Sequence, residues 1–89
     1  MNMGNVNYTR SQIEFILENW RSDPKLCVKE TGHSASSIKM MLGNAYQRLS
    51  GGTKFLRSEL YAEVVQDYLE ANPMFGRPMS IEKFKALFL

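Results

Sequence analysis

Apolar residues recur at helical spacing through the first half of the chain and predict three helices between residues 9 and 49. The longest of these helices follows Ser34 and runs to about Leu49. Its apolar residues lie within about 60° of Ile38 on a helical wheel of roughly 100° per residue. They are Met41, Leu42, Ala45 and Leu49. The opposite side holds Ser36, Met40, Gly43 and Gln47 and has no carboxylate. This pattern predicts a helix that is buried along one side and open along the other.

Residues with known capping preferences stand at the expected helix ends. Thr9 and Gln12 form a capping box before the first apolar stripe. Asp23-Pro24 supplies an N-cap acceptor and a first-turn proline for the second helix, and Gly32 permits its left-handed exit. These local signals predict a first helix that ends near Arg21, followed by two helices on either side of a tight turn.

A breaker at residues 50–53, Ser-Gly-Gly-Thr, separates this part from the rest of the chain. Beyond it, the pattern predicts a fourth helix from Ser58 to about Ala71 and a short fifth helix after Ser80. The sequence therefore predicts an all-α protein, with a three-helix head followed by two further helices. We expect a flexible N-terminus at 1–8, the head at 9–49, a Ser/Gly joint at 50–54 and a C-terminal part at 55–89. That C-terminal part either packs on the head or mediates dimerisation.

Composition excludes several classes of protein. The 89 residues include one cysteine, Cys27, and one histidine, so a single chain cannot assemble an internal disulfide or a metal site from them. There is no glycine-rich phosphate loop and no nucleophile elbow. No apolar run approaches the length of a membrane span. We therefore expect a cytoplasmic protein that is not an enzyme, has no cofactor and does not contact a membrane.

Charge is distributed unevenly along the chain. The net charge is +2, and residues 1–54 carry seven Lys/Arg against four Asp/Glu, whereas residues 55–89 carry four against five. From Thr31 to Ser58 there are four cations and no acid. The basic surplus therefore accompanies the long third helix, which favours an anionic partner.

The spacing of Val28, Gly32, Ile38 and Met41 resembles the helix-turn-helix family of small prokaryotic and phage DNA-binding regulators. The resemblance covers residues 9–49. It implies a trihelical fold in which the helix over 34–49 is the recognition helix and lies in the major groove of double-stranded DNA. It also implies a role in regulation, of transcription or of packaging.

Under this resemblance, the outward residues of the third helix are candidates for base contacts. Asn44 suits adenine, Lys39 suits guanine or phosphate, and Met40 suits a thymine methyl or a protein surface. The full candidate DNA-binding set is Ser34, Ser36, Ser37, Lys39, Met40, Asn44 and Gln47, with Arg48, Lys54 and Arg57 for phosphates. The competing interpretation is a solvated helix face that happens to lack acids.

The C-terminal part supports a second hypothesis. It holds more apolar side chains than a short helix pair needs, and its candidate protein-interface residues are Phe75, Met79, Phe84 and Phe88. They would form a homodimer contact, or the surface with which a small phage-type regulator binds and inhibits a larger protein. DNA binding would weaken steeply with salt, whereas an apolar protein contact would respond little.

Overall fold

The computed structural model describes residues 8–51, 59–73 and 76–89, and in those ranges the chain is all-α, with five helices and no strand. The helices are α1 (Arg10–Asn19), α2 (Pro24–Thr31), α3 (Ala35–Leu49), α4 (Glu59–Ala71) and α5 (Ile81–Phe88). The predicted fold class, three helices followed by two, is confirmed. α1 ends at Asn19, slightly before its predicted end near Arg21.

The helix starts follow the capping residues. At α1 the Gln12 N–H donates to the Thr9 hydroxyl over 3.2 Å, and the Thr9 N–H donates to the Gln12 side chain over 3.0 Å. Ser34 and Ser80 accept from the backbone N–H three residues later, at the starts of α3 and α5. Each cap satisfies a backbone donor that the first helical turn leaves without a partner. The start of α4 at Ser58 lies outside the described residues.

Gly32 ends α2 and turns the chain into α3. Its φ of 76° lies in the left-handed region, and its N–H donates to the Val28 carbonyl over 2.9 Å. A side chain in this conformation brings its Cβ too close to the following carbonyl oxygen, which is why glycine is the usual residue here. Residues 32–34 thus form a three-residue turn between the two helices.

We expect Gly32→Ala to lower the free energy of unfolding by about 1–2 kcal/mol, because alanine must adopt the left-handed conformation. The matched control is Gly43→Ala, in the interior of α3, where an added Cβ would meet no atom within 4 Å. That variant should gain about 0.5–1 kcal/mol from the better helix propensity of alanine. Urea denaturation of both variants measures the difference. Equal effects of the two substitutions would contradict the left-handed turn.

The described helices share one hydrophobic core. α4 packs against both α3 and α1, α5 packs against α3, and α2 lies against α1 and α3. The largest fully buried side chains come from α1, α2, α3, α4 and α5, and they are Ile13, Ile16, Cys27, Ile38, Met41, Leu42, Val64, Val65 and Phe84. The C-terminal helices therefore pack on the three-helix head. Residues 52–54 of the expected joint lie outside the described residues.

The prediction that Met79, Phe84 and Phe88 form a protein interface is wrong for the folded chain, because all three side chains are buried in its own core. Phe84 stacks on Phe88 with 4.8 Å between ring centroids, and Phe88 meets Tyr68 of α4 edge-on. The Met79 N–H also donates to the Leu69 carbonyl over 3.0 Å, which fixes the entry to α5. Phe75 lies outside the described residues. In the ranges that the structure describes, no helix combines the length and the apolar character needed to cross a membrane.

Candidate nucleic-acid interface

α3 presents one uncovered side to the surroundings. Its apolar stripe is buried, and the residues on the other side are exposed or half exposed. We call this side the outward α3 face, and it consists of Ser36, Lys39, Met40, Gly43, Asn44 and Gln47. None of these residues is acidic, and Lys39 gives the face a positive charge. The helical period that buries Ile38 and Met41 is what turns these six residues outward.

The middle of the outward α3 face combines a protruding apolar side chain with a gap. Met40 is 66% exposed, more than Leu60 and Leu89, the other exposed large hydrophobic residues in the described part of the chain. One turn further, Gly43 has no side chain, and among the described residues no neighbouring atom lies within 4 Å of the position that a Cβ would take. Because Ser36 and Gly43 are small, a partner can approach the α3 backbone closely, with Met40 as the raised contact between them.

Tyr8 holds the start of α3 in place. Its ring stacks on His33 of the turn with 3.8 Å between centroids and meets Tyr61 of α4 edge-on at 5.5 Å. The hydroxyls of Tyr8 and Ser37 share a hydrogen bond 2.6 Å long. Burial lowers the pKa of His33, which favours the neutral imidazole in this stack. The N-terminal segment, the turn and two helices therefore meet at one residue.

The expectation of a flexible N-terminus over 1–8 is wrong at Tyr8, which is 5% exposed, while residues 1–7 lie outside the described residues. A signal for this position is present in the sequence. Tyr8 directly precedes the N-cap Thr9, and Ile13 stands at the fourth helical position, which is the spacing of a hydrophobic staple. Both side chains belong to the core.

Three of the candidate DNA-binding residues have structural roles. Ser34 is the N-cap of α3, and Ser37 is half buried beneath Tyr8. The guanidinium of Arg48 donates to Glu59 of α4 over 3.2 Å, and its side chain is only 22% exposed. These contacts leave Ser36, Lys39, Met40, Asn44 and Gln47 as the predicted residues that the outward α3 face brings together. Lys54 and Arg57 lie outside the described residues.

Two lysines that the sequence analysis did not select lie on the neighbouring helix. Lys25 and Lys29 are exposed on α2, one helical turn apart. Neither forms an ion pair within residues 8–51, 59–73 and 76–89. The sequence indicates this placement, because Lys25 and Lys29 are four residues apart and lie on the side of α2 opposite the buried Cys27. The α2–turn–α3 unit thus carries three exposed lysines with Lys39.

Three of the nine acids of the chain gather around one arginine between α1 and α4. Arg10 of α1 pairs with Glu14 over 3.1 Å, with Glu63 at 3.9 Å and with Asp67. Glu63 and Asp67 therefore lie on the side of α4 that meets α1, and the outward α3 face contributes no member of this cluster. This acidic cluster is partly neutralised by Arg10, and it belongs to α1 and α4, away from the residues that form the outward α3 face.

Within the part of the chain that the structure describes, no three His, Cys, Asp or Glu side chains gather into a group that could hold a metal ion. Cys27 is fully buried, and burial raises the pKa of its thiol, which lowers its reactivity. The outward α3 face offers a partner positive charge, hydrogen bonds and apolar contact.

No protein-family model, curated protein or solved structure matches this chain. The function is therefore inferred from the residues, their placement and their charge.

Proposed function

We propose that this protein is a DNA-binding regulator that places α3 in the major groove of double-stranded DNA. One observation carries the proposal: the outward α3 face is exposed and holds no carboxylate, and α3 packs against α2, which carries two exposed lysines and one exposed acid, Glu30. A solvated helix face usually carries acids as well as bases, because mixed charge favours solubility. An acid-free face with polar and small residues suits a polyanion whose base edges offer hydrogen-bond donors and acceptors.

The order of the elements supports a helix-turn-helix arrangement. In that arrangement the second helix enters the groove and the first crosses the DNA backbone. Here α2 and α3 are joined by the turn at Gly32 and pack against each other, with α1 behind α2. Lys25 and Lys29 of α2 would then contact phosphates and fix the orientation of α3.

The side chains of the outward α3 face match particular base edges. Asn44 and Gln47 each offer an amide, which pairs with N6 and N7 of adenine. Lys39 donates to O6 and N7 of guanine or to phosphate, and Ser36 donates or accepts. Arg48 pairs with the exposed Glu59 in this arrangement. Phosphate contacts by Lys54 and Arg57, and a homodimer on DNA, stay predictions.

The alternative, a regulator that inhibits a larger protein through an apolar C-terminal surface, lacks a favouring observation. Three of the four side chains assigned to that surface are core residues, as described above. Exposing them would require α5 to leave α3. We therefore do not propose it as the function.

The experiment that tests DNA binding is fluorescence anisotropy on a labelled duplex of random sequence, at salt concentrations from 50 to 200 mM. With lysines 25, 29 and 39 on phosphates, the slope of log Kobs against log salt should be about −3 per chain. Light scattering on the same sample gives the mass and hence the slope per molecule. Absence of binding at 50 mM salt by protein with a helical circular-dichroism spectrum would overturn the proposal.

A further inference from the structure

A small apolar depression opens at the edge of the outward α3 face. Its volume is about 50 Å³, and its lining residues are Tyr8, Ser37, Met40, Met41, Asn44 and Tyr61. The rings of Tyr8 and Tyr61, set edge-on to each other, and the two methionine side chains make its walls apolar. Asn44 supplies an amide at the same place. We call this depression the Met40 notch.

The size and chemistry of the Met40 notch restrict what can enter it. At about 50 Å³, the notch can seat a group of a few heavy atoms but cannot enclose a whole base or sugar. Its apolar walls give a charged or hydrogen-bonding group little compensation for lost hydration. The occupant that fits is therefore a methyl group, presented by a partner that also offers a hydrogen bond to Asn44.

DNA presents one such group in the major groove. Among the edges of the four standard bases there, the C5-methyl of thymine is the only apolar substituent, and its paired adenine carries the N6 and N7 atoms that an amide recognises. The Met40 notch and Asn44 lie side by side on the helix that is proposed to enter that groove. Met40 and Asn44 are four residues apart and therefore neighbours on α3.

We propose that the Met40 notch receives the C5-methyl of thymine and makes the protein selective for A·T pairs, an inference that rests on the proposed function. The thioether of Met40 and the rings of Tyr8 and Tyr61 enclose the methyl group, and Asn44 bonds to adenine. The hydrogen bond between the hydroxyls of Tyr8 and Ser37 fixes the Tyr8 ring as a wall of the notch. Lys39, outside the notch, adds affinity that does not depend on the methyl group.

The test compares two duplexes that differ only in this methyl group, alternating dA–dT and alternating dA–dU, in competition anisotropy at 50 mM salt. Wild-type protein should bind dA–dT about fourfold more tightly, the effect of burying one methyl group. Met40→Ala should bring this ratio close to one, and since Met40 is exposed, the variant should keep the helical spectrum of the wild type. The control Lys39→Ala should weaken binding to both duplexes and leave the ratio unchanged.

The outcomes separate the two proposals. Equal binding of dA–dT and dA–dU by the wild type would overturn methyl recognition and leave DNA binding by α3 intact. If Met40→Ala kept the preference for dA–dT, the thymine methyl group would be recognised somewhere other than the Met40 notch. Failure to bind either duplex at low salt would overturn the proposed function and this inference with it.

Discussion

Replacing Phe84 by alanine should lower the free energy of unfolding by about 3–5 kcal/mol. Phe84 is fully buried in α5, stacks on Phe88 and lies where α5 packs against α3. Its removal leaves a cavity, and the buried side chains of Met79 and Phe88 on either side limit how far α5 can shift to fill it. A domain of this length has a total stability of about 4–13 kcal/mol, so the loss is a large fraction of the whole.

The single tryptophan provides the measurement. Trp20 is buried at the end of α1, and its fluorescence follows urea unfolding of the shared core without an added probe. The melting temperature should fall by at least about 12 °C, at roughly 4 °C for each kcal/mol in a domain of this size. Leu89→Ala is the control, because Leu89 follows α5 directly and is 52% exposed, so its effect should stay within about 0.5 kcal/mol. An unchanged urea midpoint in Phe84→Ala would mean that α5 does not contribute to the core.

Helix starts and stops follow from the sequence because their causes are local. The capping box at Thr9, the proline after Asp23 and the glycine at 32 each act within four residues of themselves. The buried stripe of α3 is equally local, since it depends on the helical period alone. These features therefore appear in the structure at or near the predicted positions.

The pattern of α5 illustrates what periodicity leaves open. The apolar stripe through Phe84 and Phe88 indicates that one side of the helix is buried. It does not indicate whether α3 or another protein buries it. The choice depends on tertiary packing across residues distant in the chain, which no local pattern encodes. Both arrangements fit the pattern, and the prediction of a protein interface at these residues was wrong because they pack in the core of their own chain.

In the candidate site, too, some features follow from the local sequence and others depend on tertiary packing. The outward direction of Lys39, Met40 and Asn44 follows from the period of α3. The ion pair between Arg48 and Glu59 does not follow from that period, because it depends on the position of α4 in the fold. Likewise the Met40 notch needs Tyr8 and Tyr61, which stand on either side of α3 in the chain and meet only in the fold.

Reversing the charge at Lys39 should weaken duplex binding by about 10- to 100-fold at 50 mM salt. Lys39→Glu removes a cation from the outward α3 face and places a carboxylate where the phosphates or the acceptor edge of guanine would lie. Folding should be unaffected, because Lys39 is exposed and glutamate has nearly the same helix propensity as lysine. Anisotropy titrations with the random duplex, beside a urea curve for each protein, measure both quantities.

A matched variant separates contact from net charge. Lys83→Glu makes the same change of two charge units at an exposed position of α5, a residue that is not part of the outward α3 face. It should weaken binding only slightly, through the long-range field that salt screens within about 10 Å at 0.1 M. Lys39→Ala should also reduce the salt slope by about 0.9, the contribution of one phosphate contact. If Lys39→Glu and Lys83→Glu weakened binding equally, net charge alone would explain the affinity, and α3 would lose its assignment as the recognition helix.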